Sequence, residues 1–313
     1  MSPSIDAARQ ASDALLSLFQ PPGGDIKVSF EFFPPKSEKM EETLWQSIRR
    51  LEGFSPRFVS VTYGAGGTTR ERTHRTVTRL LEETQLKPAA HLTCVGAPRA
   101  DVDAVVDAYW DAGVRHIVAL RGDPEDASAG FQPHPEGYES SVDLIKSITS
   151  KHPFEISVGC YPEQHPEAKN MDADIEYLKA KIDAGATQAI SQFFFESNTF
   201  LRFLDKARAA GITVPILPGL LPVTNFKQLT KFAAGCGAAV PGWMAHLFEG
   251  LDDEPATRNL VAAALAAEQC RRLYQAGIRD FHFYTLNRAE LTYGLCHMLG
   301  LRAKTTIREA NAA

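Results

Sequence analysis

The chain has few cysteines, and none of them has a metal-binding or redox spacing. The five cysteines include no Cys-x-x-Cys pair and lie at Cys94, Cys160, Cys236, Cys270 and Cys296. An odd number of scattered cysteines is typical of a reducing compartment and argues against a disulfide framework or a zinc site. We therefore expect free thiols, no metal and a cytoplasmic location.

Long hydrophobic runs and basic runs are also missing. No segment approaches the ~20 apolar residues that span a membrane, and the first residues lack the basic start and apolar core of a signal peptide. The formal net charge is −5, with no run of lysine or arginine. We therefore expect neither nucleic acid nor a membrane as a partner, and small-molecule chemistry is the better expectation.

The familiar nucleotide-binding fingerprints are absent too. The one glycine-rich turn after a predicted strand, "TYGAGGTT", has Thr69 where G-x-G-x-x-G requires its third glycine. It also lacks the Gly-Lys-Ser/Thr of a P-loop. These absences weaken the alternative of an open, doubly wound sheet.

The chain does contain one repeating unit, which consists of a short Val/Ile/Phe-rich run, a turn and a helical stretch. Eight such units with no break favour a single α/β domain, a closed (β/α)8 (TIM) barrel over residues 25–313. Residues 1–24 predict a helical extension that ends at Pro21-Pro22-Gly23-Gly24. The predicted strands are 26–33, 58–64, 89–94, 116–122, 155–161, 188–195, 214–221 and 280–286.

Glu31 is the most unusual residue of the predicted barrel, because it lies among the phenylalanines of "VSFEFFPP". Polar residues near the carboxyl ends of barrel strands are site candidates. A carboxylate held among apolar groups either has a raised pKa, as a general acid near neutral pH requires, or finds a partner. We therefore expect a folded-state pKa for Glu31 above the ~4.3 of a free glutamate.

Other polar residues near strand ends have simpler interpretations beside the functional one. His91 could be a hydrogen-bonded core residue, and Arg121 and Asp123 could form a structural ion pair. The aromatic run from Gln192 to Phe195 is more typical of core packing than of a stacking surface. From these residues alone, the sequence predicts a barrel enzyme with an acid on its first strand, but not its reaction.

Eight motifs in this order resemble the methylenetetrahydrofolate reductase family over about residues 26–300. They are "VSFEFFPPK", "FVSVTYGAGG", "HLTC", "HIVALRGD", "YPEQHPEA", "ISQFFF", "PGLLPVTNFKQ" and "DFHFYTLNRAE". The resemblance implies a barrel with non-covalent FAD that passes hydride from NADH or NADPH to 5,10-methylenetetrahydrofolate. The length is similar to the bacterial, catalytic-barrel-only form, and the family's members are homo-oligomers.

The resemblance also implies roles for individual residues. Glu31 matches the general acid that protonates N10 of the folate, and Asp123 matches the aspartate beside the pterin and flavin. Positions that match the substrate side are Gln192, Gln228, Phe232, Tyr284 and Arg288. Positions that match the surroundings of FAD are Thr62, Tyr63, Ala65, His91, Arg121, Gly122, Asp123, Ser141, Tyr161, His165, Ala168, Asp174 and Lys181.

One segment departs from the family's pattern. Where the family often has a flavin-contacting tyrosine in "Y-A-x-D-L", this chain reads "SSVDL" from Ser140 to Leu144. Either Tyr138 reaches back over the cofactor, or this segment holds FAD less tightly. Two alternative functions stay open, a member that works mainly in the oxidative direction and a folate-binding barrel without turnover.

Overall fold

The computed structural model describes residues 25–63, 70–123 and 131–304. The predicted extension 1–24 and the predicted cofactor position Ala65 lie outside these residues. Within the described part, nine strands and ten helices alternate in an α/β barrel. None of the described helices has the length and hydropathy needed to span a membrane.

All nine strands belong to one parallel sheet. In chain order they are β1 (Lys27–Phe32), β2 (Val59–Val61), β3 (Pro88–Thr93), β4 (His116–Leu120), β5 (Glu155–Cys160), β6 (Gln188–Ser191), β7 (Ile216–Leu217), β8 (Gly219–Leu220) and β9 (Asp280–Tyr284).

The helices cover the outside of this sheet. In chain order they are α1 (Glu38–Glu52), α2 (Arg70–Glu83), α3 (Arg99–Asp111), α4 (Ser141–Lys151), α5 (Met171–Asp183), α6 (Ser197–Ala209), α7 (Phe226–Gly235), α8 (Gly242–Phe248), α9 (Pro255–Gln275) and α10 (Ala289–Met298). Side-chain caps fix several starts, since Ser37, Ser140, Asn170 and Asn225 each accept a backbone N–H of the following helix.

The predicted seventh strand is divided at Pro218, and this division closes the barrel. β7 pairs with β6, whereas β8 pairs with β9, so the two ends of the sheet are consecutive in the chain. Proline has no N–H to give to a ladder and is found at breaks in strands. The eight predicted strands and the barrel are thus confirmed, with β7 and β8 as two halves of one strand.

Strand alternation separates the outer core from the barrel interior. Phe30 and Phe32 of β1 are fully buried in the large apolar cluster that includes residues of the surrounding helices. A smaller cluster that includes Phe58, Val118 and Leu217 fills the interior. Since successive side chains on a strand point to opposite faces, Ser29 and Glu31 face inward, where the site lies.

Candidate active site

Glu31 lies at the carboxyl end of β1, where three strands bring polar groups together. Its Cα is paired in register with Ser60 of β2 and with Tyr284 of β9. The carboxylate side chain is 13% exposed, and Ser60 donates a hydrogen bond of 3.4 Å to its Oε2. The carboxylate is therefore nearly buried but still open to the mouth of the barrel.

Two histidines face the same carboxylate oxygen. The Nε2 atom of His91 lies 3.3 Å from Oε2 of Glu31, and that of His282 lies 3.8 Å away. Burial raises the pKa of Glu31, but contacts with His282 and His91 outweigh it and lower the pKa from 4.5 to about 2. Our expectation of a raised pKa is therefore wrong, because Glu31 has two imidazole partners.

Contacts with Ser29 and Phe58 inside the barrel hold His282 in place. This residue was not predicted from the sequence. Its side chain is fully buried, with Nδ1 2.8 Å from the Ser29 hydroxyl and the ring stacked on Phe58 at 5.7 Å. A signal was available, since His282 and Tyr284 are two residues apart on β9 and therefore face the same side. His91 is buried and faces Glu31, and its predicted place beside FAD stays a prediction.

The mouth of the barrel forms a cavity of about 220 Å3. Apolar side chains such as Leu120 and Leu221 line it together with polar groups from several strands. The predicted site residues that it contains are Glu31, His91, Tyr161, Gln192, Phe232 and Tyr284. One cavity thus holds the predicted acid and three of the five predicted substrate residues.

Tyr284 is positioned by an unusually close approach of three strands. Its hydroxyl donates a 2.7 Å hydrogen bond to the carbonyl of Ser191 on β6. At Gly219 of β8, an added Cβ would lie 2.0 Å from that carbonyl oxygen and 2.6 Å from the tyrosine ring. Glycine is required at this position because any side chain would displace the tyrosine.

An aromatic wall closes one side of the mouth. Phe193 lies parallel to the 51% exposed Phe232, with ring centres 5.5 Å apart. In contrast, Phe194 is fully buried against Phe200 in the outer core. The core-packing interpretation of "QFFF" is therefore right for Phe194, whereas Phe193 also lines the mouth.

A second cavity, of about 310 Å3, adjoins the mouth and contains most of the predicted cofactor residues. Leu120, Gly159 and Tyr161 line both cavities. The predicted positions in the second cavity are Arg121, Gly122, Asp123, Ser141, Tyr161, His165, Ala168, Asp174 and Lys181. These residues come from four separate stretches of the sequence, and the fold brings them to one place.

Two cations line this second cavity. Lys181 is buried, and its ammonium donates a 2.6 Å hydrogen bond to the carbonyl of Gly159, while burial lowers its pKa. Arg121 donates two hydrogen bonds, of 2.5 and 3.0 Å, to the carboxylate of Glu167. The interpretation of Arg121 and Asp123 as an ion pair is therefore wrong, since the salt bridge of Arg121 is to Glu167.

The segment "SSVDL" has no tyrosine of its own in the second cavity, but it lies beside a tyrosine of α5. Tyr138 is buried and donates to Asp103 at 2.6 Å, away from the cavity, so it does not reach back over the site. Ser141 does line the cavity, and its hydroxyl lies 2.9 Å from that of Tyr177 on α5. Tyr177 also lines the cavity and is 39% exposed, so α5 supplies a tyrosine here.

Among the described residues, four of the predicted site positions line neither cavity. Thr62 and Tyr63 follow β2, where Thr62 donates its N–H to Phe32 and burial raises the pKa of Tyr63. Gln228 is exposed in the first turn of α7. Arg288 is exposed just before α10 and lines a third cavity. Their predicted roles stay predictions.

A tight backbone turn and side chains of both charges shape the second cavity. At Gly122, with φ of +84°, an added Cβ would lie 2.5 Å from Val95 and 2.8 Å from Thr93, so the backbone turns tightly at the cavity wall. Arg121 and Lys181 line it together with the acids Asp123, Glu167 and Asp174, and Tyr177 provides an aromatic surface. Among the described residues, no group of histidine, cysteine or acidic side chains could hold a metal ion.

The chain is similar to known proteins over most of its length. The family model described as methylenetetrahydrofolate reductase matches residues 19–300. The chain is 50% identical to "5,10-methylenetetrahydrofolate reductase" of Escherichia coli K12, covering 93% of this chain and 96% of that protein. It is 51% identical to the protein of the same name from Pectobacterium carotovorum, covering 89% and 92% of the two chains.

Two more distant similarities complete the comparison. "Methylenetetrahydrofolate reductase (NADH) 1" of Arabidopsis thaliana is 33% identical over 89% of this chain, which spans about half (49%) of that protein. A solved structure of an uncharacterized Clostridium thermocellum protein that "binds two copies of 5-methyl-5,6,7,8-tetrahydrofolic acid" has a TM-score of 0.58 at 15% identity. The alignment covers 92% of this chain and 98% of that one, and it shows the shared barrel fold.

Proposed function

Because the chain belongs to the methylenetetrahydrofolate reductase family, we propose that it reduces 5,10-methylenetetrahydrofolate to 5-methyltetrahydrofolate with NADH or NADPH, through FAD. Family membership by itself supports an oxidoreductase that reduces methylenetetrahydrofolate. The observation that carries the finer proposal is the junction of the two cavities at Leu120, Gly159 and Tyr161. It joins the cavity lined by Arg121 and Lys181 to the mouth that contains Glu31.

The second cavity would hold FAD. When bound, FAD supplies a carrier that accepts hydride from a nicotinamide and returns it to a folate. Arg121 and Lys181 would compensate the charge of the diphosphate, and His165 and Asp174 would contribute hydrogen bonds. The amide of His165 already donates to the Asp174 carboxylate at 2.8 Å, so this part of the wall is ordered before ligand binds.

Glu31 would deliver the proton that N10 of the folate needs for ring opening to the 5-iminium cation. With its lowered pKa the carboxyl of Glu31 is ionised at neutral pH, so it must take up a proton before it can deliver one. Burial is already the largest influence on its pKa, and it acts upward. A pterin that covers the remaining exposed part would raise the pKa further and favour proton uptake by Glu31.

The other mouth residues would orient the two substrates in turn. Gln192 would meet the pterin or the nicotinamide, and Phe232 would stack on either. Asp123, which lines the adjoining second cavity, would stabilise positive charge on the opened folate. One mouth must serve both substrates, so we propose a ping-pong order in which NAD(P)H leaves before folate binds.

The half-reactions test this proposal separately. Purified protein supplied with FAD should be yellow, and anaerobic addition of NADH or NADPH should bleach the flavin spectrum. Glu31→Gln should slow reoxidation by methylenetetrahydrofolate by about 100-fold or more, because a general acid contributes on that order. Flavin reduction by the nicotinamide should change little, since it requires no proton from Glu31.

The outcomes separate the competing interpretations. Equal loss of both half-reactions in Glu31→Gln would contradict the acid role. A wild-type protein that binds folate but never bleaches with either nicotinamide would be a binding barrel without turnover. Rates measured in both directions would identify a mainly oxidative enzyme. The cytoplasmic location and the homo-oligomeric state stay predictions from the sequence.

A further inference from the structure

The proposed reaction gives no role to His282, a titratable group that lies fully buried inside the barrel. Its Nε2 faces Oε2 of Glu31 at 3.8 Å, which is an ion-pair distance and too long for a hydrogen bond. Within the described residues, this buried nitrogen has no hydrogen-bond partner. A buried polar atom without a partner is costly, so its direction towards the carboxylate calls for an explanation.

The other nitrogen of the His282 ring is held by a hydroxyl that has two partners. Nδ1 lies 2.8 Å from Oγ of Ser29, and the same Oγ lies 3.4 Å from the carbonyl oxygen of Phe281. When Nδ1 carries no hydrogen, the Ser29 hydroxyl can donate to it. When Nδ1 carries a hydrogen, Oγ can accept it and donate to the Phe281 carbonyl instead. Ser29 can therefore satisfy both the neutral and the cationic form of His282.

Burial favours one additional proton on the pair formed by Glu31 and His282. A neutral imidazole beside an ionised carboxylate leaves a net negative charge inside the barrel. One proton makes the pair neutral overall, either as imidazolium with carboxylate or as imidazole with carboxylic acid. Because a net charge is costly where water is excluded, the pair binds this proton more tightly than an isolated group would. The two groups therefore titrate as a unit.

The titratable neighbours of this pair are poorer candidates for holding the proton. Burial raises the pKa values of Tyr284 and Cys160 and lowers that of His116 to about 3, so all three are neutral near neutral pH. His91 faces the same carboxylate oxygen at 3.3 Å, with its side chain 9% exposed. In the described part of the chain, however, no hydrogen bond like that of Ser29 holds its ring.

We propose that His282 is a positioning residue that holds the proton which Glu31 delivers to the folate, an inference that rests on the proposed function. The Nε2–H bond of the imidazolium breaks as the O–H bond of Glu31 forms. That O–H bond breaks in turn as N10 of the folate gains the hydrogen, and the imidazolidine ring opens with the electron pair of its N10–C bond on N10. Water at the mouth returns one proton to the pair in each turnover.

Binding of the pterin supplies the reason for the transfer. The Glu31 side chain is 13% exposed, and a pterin in the mouth would cover this part. Loss of water disfavours the two charges of the ion pair and favours the neutral imidazole with the carboxylic acid. A movement of about 1 Å brings Nε2 and Oε2 to hydrogen-bond distance. The proton thus reaches Glu31 at the step that uses it.

Nitrogen-15 NMR of the histidine side chains tests the shared proton without any substrate, because imidazolium and neutral imidazole differ in their nitrogen shifts. Near neutral pH, His282 should be an imidazolium in wild type and a neutral imidazole in Glu31→Gln. Ser29→Ala assigns the signal, since it removes the partner of Nδ1. If His282 is neutral in wild type, or if Glu31→Gln changes only the signal of another histidine, His282 does not hold the proton.

The pH dependence of folate reduction tests the use of this proton. Ser29→Ala removes the acceptor of the Nδ1 hydrogen, so the pair should bind its proton about tenfold more weakly. The pH profile for reoxidation of reduced flavin by methylenetetrahydrofolate should move about one unit lower. Near neutral pH the rate should fall about tenfold, and at lower pH it should approach the wild-type rate. Flavin reduction by NADH or NADPH should stay within about twofold.

Two further variants separate the proton from the packing of the barrel interior. His282→Gln keeps an amide N–H near Glu31 but has no proton to transfer, so folate reduction should fall about 10- to 100-fold. Ser157→Ala is the matched control, because it removes a buried hydroxyl that lies 2.7 Å from Nε2 of the neutral His116. It should leave the pH profile unchanged.

Three results would overturn the inference or its premise. If Ser29→Ala lowers the rate equally at every pH, or if Ser157→Ala shifts the profile as much, Ser29 acts only on packing. If His282→Gln slows flavin reduction as much as folate reduction, His282 does not act through Glu31. If wild type does not reduce methylenetetrahydrofolate at all, the proposed function has failed and the inference fails with it, whatever the NMR signals show.

Discussion

Replacing Glu31 with glutamine should change how the stability of this protein depends on pH. Burial raises the pKa of this carboxyl, but the imidazoles of His282 and His91 outweigh burial and lower the pKa from 4.5 to about 2. A carboxyl whose pKa is lower in the folded state than in the unfolded chain stabilises the folded state at pH values above its unfolded pKa. This contribution is lost as the pH falls from about 4.5 towards about 2.

The magnitude follows from the two pKa values. The interval from 4.5 to about 2 corresponds to about 3 kcal/mol of unfolding free energy at neutral pH. Near pH 3.5, about 2 kcal/mol remains, because the folded carboxyl is still ionised whereas the unfolded one is mostly protonated. The side chain is only 13% exposed, so solvent screening removes little of this contribution.

Urea unfolding of wild type and Glu31→Gln near pH 6.5 and near pH 3.5 measures the effect. The stability gap between the two proteins should narrow by about 1 to 1.5 kcal/mol at the lower pH. The other carboxyls titrate in both proteins and cancel in this difference. Glu290→Gln, whose carboxylate is 83% exposed, should show no such narrowing. A gap of equal size at both pH values would refute the account of the histidine contacts.

Two further predictions concern Gly219 and Tyr177. Gly219→Ala should lower the free energy of unfolding in urea by about 2 kcal/mol, because the added Cβ would overlap the Ser191 carbonyl and the Tyr284 ring. A loss below about 0.5 kcal/mol would show that β8 can shift to make room. Tyr177→Ala should raise the Kd for FAD about fivefold in a fluorescence titration, whereas Tyr138→Phe should not, since Tyr138 faces Asp103. If Tyr138→Phe raised the Kd for FAD and Tyr177→Ala did not, the tyrosine that contacts the cofactor would be Tyr138 and not Tyr177.

Much of the fold was predictable because each strand and helix is marked locally. Val/Ile/Phe runs followed by helical stretches predict the order of the barrel, and the cap residues Ser37 and Asn170 lie where helices begin. The short helix α8 and the last helix α10 were not predicted. The break at Pro218 was also missed, since it is visible only when the two halves of the strand pair with different neighbours.

The site was predictable to the extent that barrel geometry and motifs place residues at one end. Nine of the predicted cofactor residues share one cavity, because parallel strands bring their carboxyl ends together. The protonation of Glu31 was predicted wrongly, since its surroundings were judged from its neighbours in sequence. Phe30 and Phe32 point to the opposite face, whereas His282 is 251 positions away in the chain and faces the carboxylate.

By itself, the sequence determined the strand and helix order, the family and the chemical types available at the barrel mouth. These are local properties, carried by hydrophobic period, turn residues and short motifs. Only the tertiary structure decided which groups face one another, such as His282 with Glu31, Arg121 with Glu167 and Tyr177 with Ser141. The physical reason is that pKa values, ion pairs and cavities depend on distances through space, and the closure of the barrel sets those distances.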